Sequence, residues 1–268
     1  MGSSTRTPAA PGRRSIARGS VPIPRAYYAR ALDRLRRDGA RLIALDIEFT
    51  SPTDITDDNA LIEGLRRTPG TILVTVDTGR AGSNDVLGGS SGQAIARVRV
   101  ASAVLRVDPG GTYRRFDFSD GGLPTLAVSA AAAVQPGFRL SELGRPPVWI
   151  DYAGGPGTVP SVSMLALLHG RVPPREVRGR IVLIGVTDPR AFDLHSFSVL
   201  TSRRMTGAEI EANAIETATE HAPLRDASGW VAMLLTLAAI VLAPVAAIRR
   251  RMWVGTSILL AALIAYPA

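Results

Sequence analysis

Residues 41–77 have the sequence RLIALDIEFTSPTDITDDNALIEGLRRTPGTILVTVD, and they contain the pattern of one parallel βαβ unit. The run RLIALDIEF is rich in Leu and Ile, which predicts a strand buried on both faces. Asp57 or Asp58 can cap a helix that continues through Leu65. The run TILVTVD predicts a second strand. A strand, a helix and a strand joined by short connections are typical of a parallel pair with a right-handed crossover.

The segments on both sides of this unit continue the α/β pattern. Further strands are predicted at residues 148–153 and 179–186, and further helices at residues 26–37, 123–134, from Ser161 or Ser163 to Leu168, and 206–220. The last of these helices begins at Thr206, and Glu209 stands at the spacing of a capping box. Asn213 lies four residues later on the same face, and because Asn is unfavourable in a helix interior, we expect its side chain to make a compensating hydrogen bond.

Two stretches between these elements predict irregular insertions. The alternating run 96–108, the turn DPGG and the run 112–118 predict a β-hairpin. Residues 78–92 are rich in Gly and Ser but contain neither GxxxxGK[ST] nor GxGxxG, so we expect a flexible surface loop. The predicted fold class is therefore α/β: a mixed, mostly parallel sheet with flanking helices and an inserted β-hairpin, followed by transmembrane helices.

The composition excludes several classes of function. The chain has 268 residues and a formal charge of +8, but its basic residues are all Arg and are spread along the sequence, so no nucleic acid is expected as a partner. Absence of Cys excludes disulfides and thiol catalysis. His169, His195 and His221 are far apart in sequence and lack metal-ligand spacing. We expect no metal site and no cofactor.

The C-terminal part of the chain is strongly apolar. Residues 230–248 (WVAMLLTLAAIVLAPVAAI) are long enough for a transmembrane helix, and residues 252–268 predict a second, incomplete one. Arg249, Arg250 and Arg251 separate the two runs and favour a cytoplasmic loop. We therefore expect a multi-pass membrane protein whose large domain, residues 25–221, lies outside the cytoplasm, with residues 222–229 as a linker.

The N-terminal residues 1–24 are polar, basic and proline-rich, which predicts a disordered segment. They contain no apolar core of a secretion signal. A folded domain outside the cytoplasm needs a means of export. Either an anchor helix lies upstream of Met1, or the orientation inferred from the arginines is wrong, and we favour the upstream anchor.

Candidate ligand-binding residues lie where predicted strands end. Asp46 and Glu48 are two residues apart and share one face of a strand, and Asp188, Asp193 and His195 follow the strand 179–186. Open α/β sheets bind ligands at the carboxyl ends of their strands, so these side chains could line one crevice. Asp46 could equally cap the following loop or pair with an Arg. No GxSxG motif accompanies these residues, and no catalytic residue is assigned.

Five ordered stretches resemble the second CHASE type, a family of sensory extracellular domains associated with bacterial cyclases and histidine kinases. They are GARLIALDIEF (39–49), DPGGTYRRF (108–116), WIDYAGGPGTVPSVS (149–163), RGRIVLIGVTDPRAFDLH (178–195) and MTGAEIEANAIET (205–217). The resemblance covers nearly all of residues 25–220. It singles out Asp46 and the glycine-proline loop formed by Tyr152, Gly155 and Pro156. Tyr152 is therefore a further candidate for ligand binding, although such a loop can equally just connect a strand to a helix. The resemblance also implies an anchor helix before the domain, about three membrane helices after it, and a cytoplasmic output module.

The function expected from these features is that of a membrane-anchored sensory domain that is not an enzyme. It would bind an unidentified small molecule or envelope ligand and pass the signal through the helix 206–220 into the transmembrane helices. Its expected partners are the membrane, this ligand, a cytoplasmic output partner and, as one option, a second copy of the chain in a homodimer. Two alternatives remain open: a scaffold that does not sense, and an extracytoplasmic hydrolase that uses Asp46, Asp193 and His195.

Overall fold

The structure is a computed structural model that describes residues 23–186, 194–197, 203–220, 224, 229–249 and 252–265. The chain divides into two units, residues 1–224 and residues 225–268. The predicted disordered segment 1–24 lies almost wholly outside the described residues, as does most of the predicted linker 222–229.

A four-stranded parallel sheet organises the first unit. Its strands are β1 (Leu42–Asp46), β2 (Ile72–Thr75), β3 (Arg99–Ser102) and β8 (Ile181–Gly185), in the order β3-β2-β1-β8. Strand β1 lies between β2 and β8, with Ala44 paired to Ile72 on one side and Leu183 on the other. The four residues from Leu42 to Leu45 are buried, which is why this stretch is apolar without alternation. The predicted α/β class and the parallel βαβ unit are confirmed.

Helices cover both faces of the sheet. Alternate residues of β1 serve the two sides: Ile43 and Leu45 pack in one apolar cluster, and Leu42 and Ala44 pack in the other. The first cluster includes residues of α1 (Arg25–Asp38), α2 (Ile55–Arg67) and α5 (Met164–Leu168). The second includes residues of α4 (Leu126–Val134) and α6 (Gly207–Glu220). Each fully buried Leu, such as Leu45, contributes roughly 1.5–3 kcal/mol relative to an exposed one.

The helix ends show which sequence signals were interpreted correctly. Ser163 caps α5 by accepting a hydrogen bond from the Ala166 N–H at 3.1 Å, which selects Ser163 over Ser161. The cap of α2 is Asp54, which accepts from the N–H groups of two residues in the first turn. The prediction of Asp57 or Asp58 was wrong because both lie inside the first turn, past the residue whose backbone is still extended.

The predicted hairpin over residues 96–118 is not formed. Strand β3 pairs with β2 in the parallel sheet, and β4 (Arg115–Phe116) pairs antiparallel with β7 (Val148–Trp149). Only a single antiparallel bridge, Asp108 to Thr112, remains at the predicted turn. The alternating sequence suits an edge strand as well as a hairpin strand, and here it pairs with β2 over four residues. Small antiparallel pairs occur elsewhere: β5 (Ser119–Asp120) with β6 (Leu123–Pro124), and β9 (Leu194–Ser196) with β10 (Arg204–Thr206).

Residues 78–92 are more regular than the predicted loop. They contain two 3-10 turns, Arg80–Gly82 and Val86–Gly88, and lead into helix α3 (Ser90–Ala96). Val86 is fully buried in the cluster beside α1 and α2, and this apolar contact gives the stretch its fixed path.

The second unit contains the helices α7 (Gly229–Arg249) and α8 (Met252–Ala265). The helical conformation of both predicted transmembrane segments is confirmed. Within the described ranges, however, no helix combines the length and the apolar character needed to cross a membrane, so their transmembrane placement is not supported. At the helical rise, the 14 residues of α8 extend only about 21 Å, against roughly 30 Å of hydrocarbon.

Candidate functional site

Helix α6 is joined to the segment after β7 by a ladder of three hydrogen bonds. The Asp151 N–H donates to Thr217 Oγ1 at 2.9 Å, the Ala153 N–H donates to Asn213 Oδ1 at 3.0 Å, and the Gly157 N–H donates to Glu209 Oε1 at 2.7 Å. We call Glu209, Asn213 and Thr217 the α6 ladder. The extended chain that carries the glycine-proline loop therefore lies along this helix and is bonded to it at three successive levels.

The ladder follows from a spacing of four residues. Side chains four apart lie on the same face of a helix, so one face of α6 presents three acceptors in a row. Asn213 is buried, and its amide also donates to the Glu209 carbonyl at 2.7 Å. Asn in a helix interior is unfavourable by propensity, and these two bonds explain its presence. The sequence prediction that Asn213 makes a needed hydrogen bond is confirmed.

Glu209 does not have the predicted role. Thr206 caps α6 as expected, because its Oγ1 accepts from the Glu209 N–H at 3.3 Å. The Glu209 carboxylate, however, bonds to Gly157 in the loop. The backbone of Thr206 belongs to β10, which pairs with β9, and the loop supplies a donor in reach of the carboxylate. The capping-box spacing therefore serves a tertiary contact.

The first turn of α6 packs directly against the carboxyl edge of the sheet. Asp46 ends β1 and is paired with Gly185, which ends β8. A Cβ atom on Gly185 would lie 2.5 Å from the Cβ of Ala208 and 3.5 Å from Asp46 Oδ2, so the helix reaches this edge only because residue 185 is Gly. From β1 the chain continues to β2 and β3 on one side of the sheet, whereas β8 pairs with β1 on the other side. Open α/β sheets bind ligands at such a change in the direction of strand order.

Glu211 lies on α6 at this edge and is 4% exposed. Burial raises the pKa of its carboxyl well above the usual range, and the negative charge of Asp46 raises this pKa further. Two other acidic residues are equally buried, but each has an arginine: Asp38 accepts from Arg34 at 2.7 Å, and Asp108 accepts from Arg115 at 2.8 Å. Glu211 has Asp46 as its charged neighbour, so burial and this charge both favour the protonated form of its carboxyl.

Tyr152 connects this edge to the rings around His195. Its hydroxyl donates to the Tyr113 carbonyl at 2.6 Å. Burial raises the pKa of that hydroxyl, with smaller contributions from the charges of Glu211 and Asp108. The His195 ring lies 4.5 Å from the Tyr113 ring, measured between centroids, and the Tyr152 ring lies 5.4 Å from that of Phe197.

The six residues expected to bind a ligand do not form one group among the described residues. Tyr152 and His195 are joined through Tyr113, and Asp46 lies near enough to Glu211 for its charge to raise the pKa of that carboxyl. Glu48 is directed elsewhere: its Oε1 accepts from the Val76 N–H at 2.8 Å and from Thr75 Oγ1 at 3.1 Å, at the end of β2. Their role in ligand binding stays a prediction.

Asp188 and Asp193 lie outside the described residues, so the hydrolase set of Asp46, Asp193 and His195 stays untested. Across the part of the chain that the structure describes, no group of three or more His, Asp or Glu side chains could hold a metal ion.

Glu211 was not among the residues predicted to form the site. A signal for it was present: in GAEIEANAIETATE, Glu211 has helical spacing to Ala214, Ile215 and Ala218, which are all buried. An acidic residue on the apolar face of a helix indicates a buried carboxyl. Tyr113 carries no comparable signal, because its contact with Tyr152 depends on the pairing of β4 with β7.

Cavities occur beside the α6 ladder and at the end of α4. One of about 230 Å³ lies beside the α6 ladder and is lined by Asp151, Ala153, Glu216, Thr217 and Glu220. The other, of about 320 Å³, lies at the end of α4 and is lined by Arg41, Val134, Gln135, Pro136, Gly137, Phe138 and Glu142. The smaller cavity touches both partners of the ladder, so a molecule bound there would contact α6 and the segment after β7 together.

The chain matches a known family of domains. A family model described as the CHASE2 domain matches residues 12–248, which is most of the chain and includes the apolar run 230–248. Neither a curated protein nor a solved structure matches.

Proposed function

The chain belongs to the CHASE2 domain family, which is a family of sensory, extracytoplasmic-type domains, and from this premise we propose that it is the input domain of a membrane-attached sensor. A ligand binds the domain outside the cytoplasm, and the response leaves through α6 toward α7. Such a domain works by binding and by a change of conformation rather than by catalysis.

The observation that carries this proposal is the α6 ladder. Its three hydrogen bonds tie the segment 151–157 to the helix nearest in sequence to the C-terminal unit. Each such bond contributes about 0.5–1.5 kcal/mol net, so the ladder provides roughly 1.5–4.5 kcal/mol. Coupling free energies between sites are typically about 1–3 kcal/mol. The ladder is therefore strong enough to transmit a signal and weak enough to be reversed by a ligand.

Attachment to a membrane is supported by the surface of the second unit. Large apolar side chains are exposed over most of the circumference of α7: Trp230, Met233, Leu234, Leu235, Leu237, Ile240, Val241 and Leu242. Water is an unfavourable solvent for such a helix, and lipid is a favourable one. The arginines at positions 249–251 then lie on the cytoplasmic side, and the first unit lies outside.

Two substitutions in α6 test the transmission step. Thr217→Val keeps the shape of the side chain but removes the acceptor for the Asp151 N–H. Thr219→Val is its matched control, because both hydroxyls donate to the carbonyl four residues earlier and only Thr217 belongs to the ladder. We expect T217V to increase hydrogen exchange at residues 151–157 and at residues 221–229 in the full chain in lipid nanodiscs, and T219V to change neither. Equal effects of the two variants would contradict transmission through the ladder.

A labelling experiment tests the topology. Because the chain has no Cys, a single Glu63→Cys substitution on the exposed surface of α2 provides one reactive thiol. In intact cells we expect a membrane-impermeant maleimide to label this residue. Labelling only after lysis would place the first unit in the cytoplasm. The ligand, the cytoplasmic output partner and the homodimer stay predictions.

A further inference from the structure

Glu211 provides α6 with a carboxyl at the point where the helix meets the sheet. We propose that Glu211 binds the proton to which this domain responds, so that α6 stays packed against the carboxyl edge of the sheet while Glu211 is protonated and loosens when the proton is lost. This inference rests on the proposed sensory function and names its ligand.

Close packing at this edge buries the Glu211 side chain away from solvent. Gly185 and Ala208 are in contact, and Glu211, one turn from Ala208 along the helix, is 4% exposed. An ionised carboxylate in such a place must be paired or must become neutral. Asp38 and Asp108 are each paired with an arginine, Arg34 and Arg115 respectively. Glu211 instead takes up a proton and becomes neutral.

The groups that face Glu211 do not include a basic partner among the described residues. Helix α4 (LAVSAAAAV) and strand β8 (IVLIG) carry no titratable residue. Strand β1 contributes Asp46, and the segment after β7 contributes Tyr152, whose hydroxyl is held by the Tyr113 carbonyl. Strand β10 contributes Arg204, which is exposed. On α6 itself the nearest acidic neighbour, Glu209, is bonded to Gly157.

The direction of the response follows from the sign of the shift. Burial, and then the charge of Asp46, raise the pKa of Glu211 above its value in the unfolded chain. Between these two pKa values the packed helix holds a proton that the loosened helix releases. The packed state is therefore fully stable at acidic pH and loses stability as the pH rises. Release of one proton changes the opening equilibrium by up to about tenfold per pH unit.

The test compares Glu211→Gln with Glu176→Gln in the full chain in lipid nanodiscs. Gln has the shape of a protonated Glu and does not titrate, while Glu176 is exposed and serves as the matched control. The opening equilibrium of residues 207–220 is measured by native-state hydrogen exchange at several pH values. We expect opening to rise with pH in the wild type and in E176Q, and to be independent of pH in E211Q. The same pH dependence in E211Q as in the wild type would overturn the proposal.

Two further measurements test the assignment of Glu211 as the proton-binding residue. The infrared carbonyl band of a protonated carboxyl should be present in the wild type at neutral pH and lost in E211Q, and its absence from the wild type would also overturn the proposal. Asp46→Asn removes one of the two causes of the raised pKa, so the rise in opening should shift to lower pH; an unchanged midpoint would contradict the role of Asp46. The T217V experiment does not depend on protonation, so a failure here leaves transmission through the ladder standing.

Discussion

Asp108 is the residue that best tests how the segment around β4 is held against β7. Its side chain is 0% exposed, and its Oδ1 accepts from Arg115 Nε at 2.8 Å and from Arg115 Nη2. Arg114 Nε lies 3.6 Å from its Oδ2. Both guanidinium groups also lie over the Trp149 ring of β7, at 5.6 Å and 5.0 Å from its centroid. One buried carboxylate therefore fixes two arginines that connect β4 to β7.

We expect Asp108→Asn to lower the free energy of unfolding by about 2–4 kcal/mol. Breaking a fully buried ion pair costs roughly 3–5 kcal/mol, because the remaining charge is left in a site of low polarity. Here the side chains of Arg114 and Arg115 are 22% and 24% exposed, so water compensates part of the loss. Asn keeps the volume and one acceptor oxygen, which separates the effect of charge from that of a cavity.

The control is Asp117→Asn, the same substitution at an exposed position. Asp117 pairs with Arg106 at 2.9 Å, and the two side chains are 38% and 40% exposed. A surface pair of this kind contributes about 0–1 kcal/mol. Urea unfolding of the full chain in detergent, followed by circular dichroism, measures both variants. If D108N costs no more than D117N, the carboxylate does not organise this segment and the reasoning fails.

The other predictions concern the N-terminus of α2 and the contact of this helix with α1. Asp54→Ala should lower the free energy of unfolding by about 1 kcal/mol because it removes the helix cap. Asp57→Ala should lower it less, because it loses only an interaction with the helix dipole. Urea unfolding compares the two variants, and equal losses would contradict Asp54 as the cap. Hydrogen bonds from Arg67, at 2.8 Å and 2.9 Å, lower the pKa of Asp33, so their contribution is present above the unfolded pKa and is lost as the pH falls below it. Asp33→Asn should therefore reduce the loss of stability on acidification, and an unchanged pH profile would refute this.

The predictions that succeeded rest on signals between residues close in sequence. The strands β1 and β2 and the helix between them follow from apolar runs separated by a capped amphipathic segment, and the caps at Ser163 and Thr206 are local hydrogen bonds. The ordered resemblance to the CHASE family also lies in the sequence, and the family match confirms it. For Asn213, propensity indicated an unfavourable helix residue and so a compensating bond.

The predictions that failed depend on the choice between distant partners. The run 96–108 has a pattern that fits a hairpin or an edge strand, and the open edge of β2 decides between them. Glu209 stands at a capping-box spacing but bonds to Gly157, 52 residues away in sequence. Asp54, Asp57 and Asp58 are all able to cap a helix, and the path of the chain after β1 selects Asp54.

By itself, the sequence determined the α/β class, the order of the main elements, the family and the apolar C-terminal runs, because hydrophobic periodicity and capping act within a few residues along the chain. Only the tertiary structure decided which side chains of these elements bond to each other and which carboxyl has a raised pKa. The α6 ladder requires the segment after β7 to lie along α6, and the raised pKa of Glu211 requires Gly185 to bring the helix to the sheet edge beside Asp46. A pKa is set by solvation and by neighbouring charges in space, and these exist only once the chain has folded.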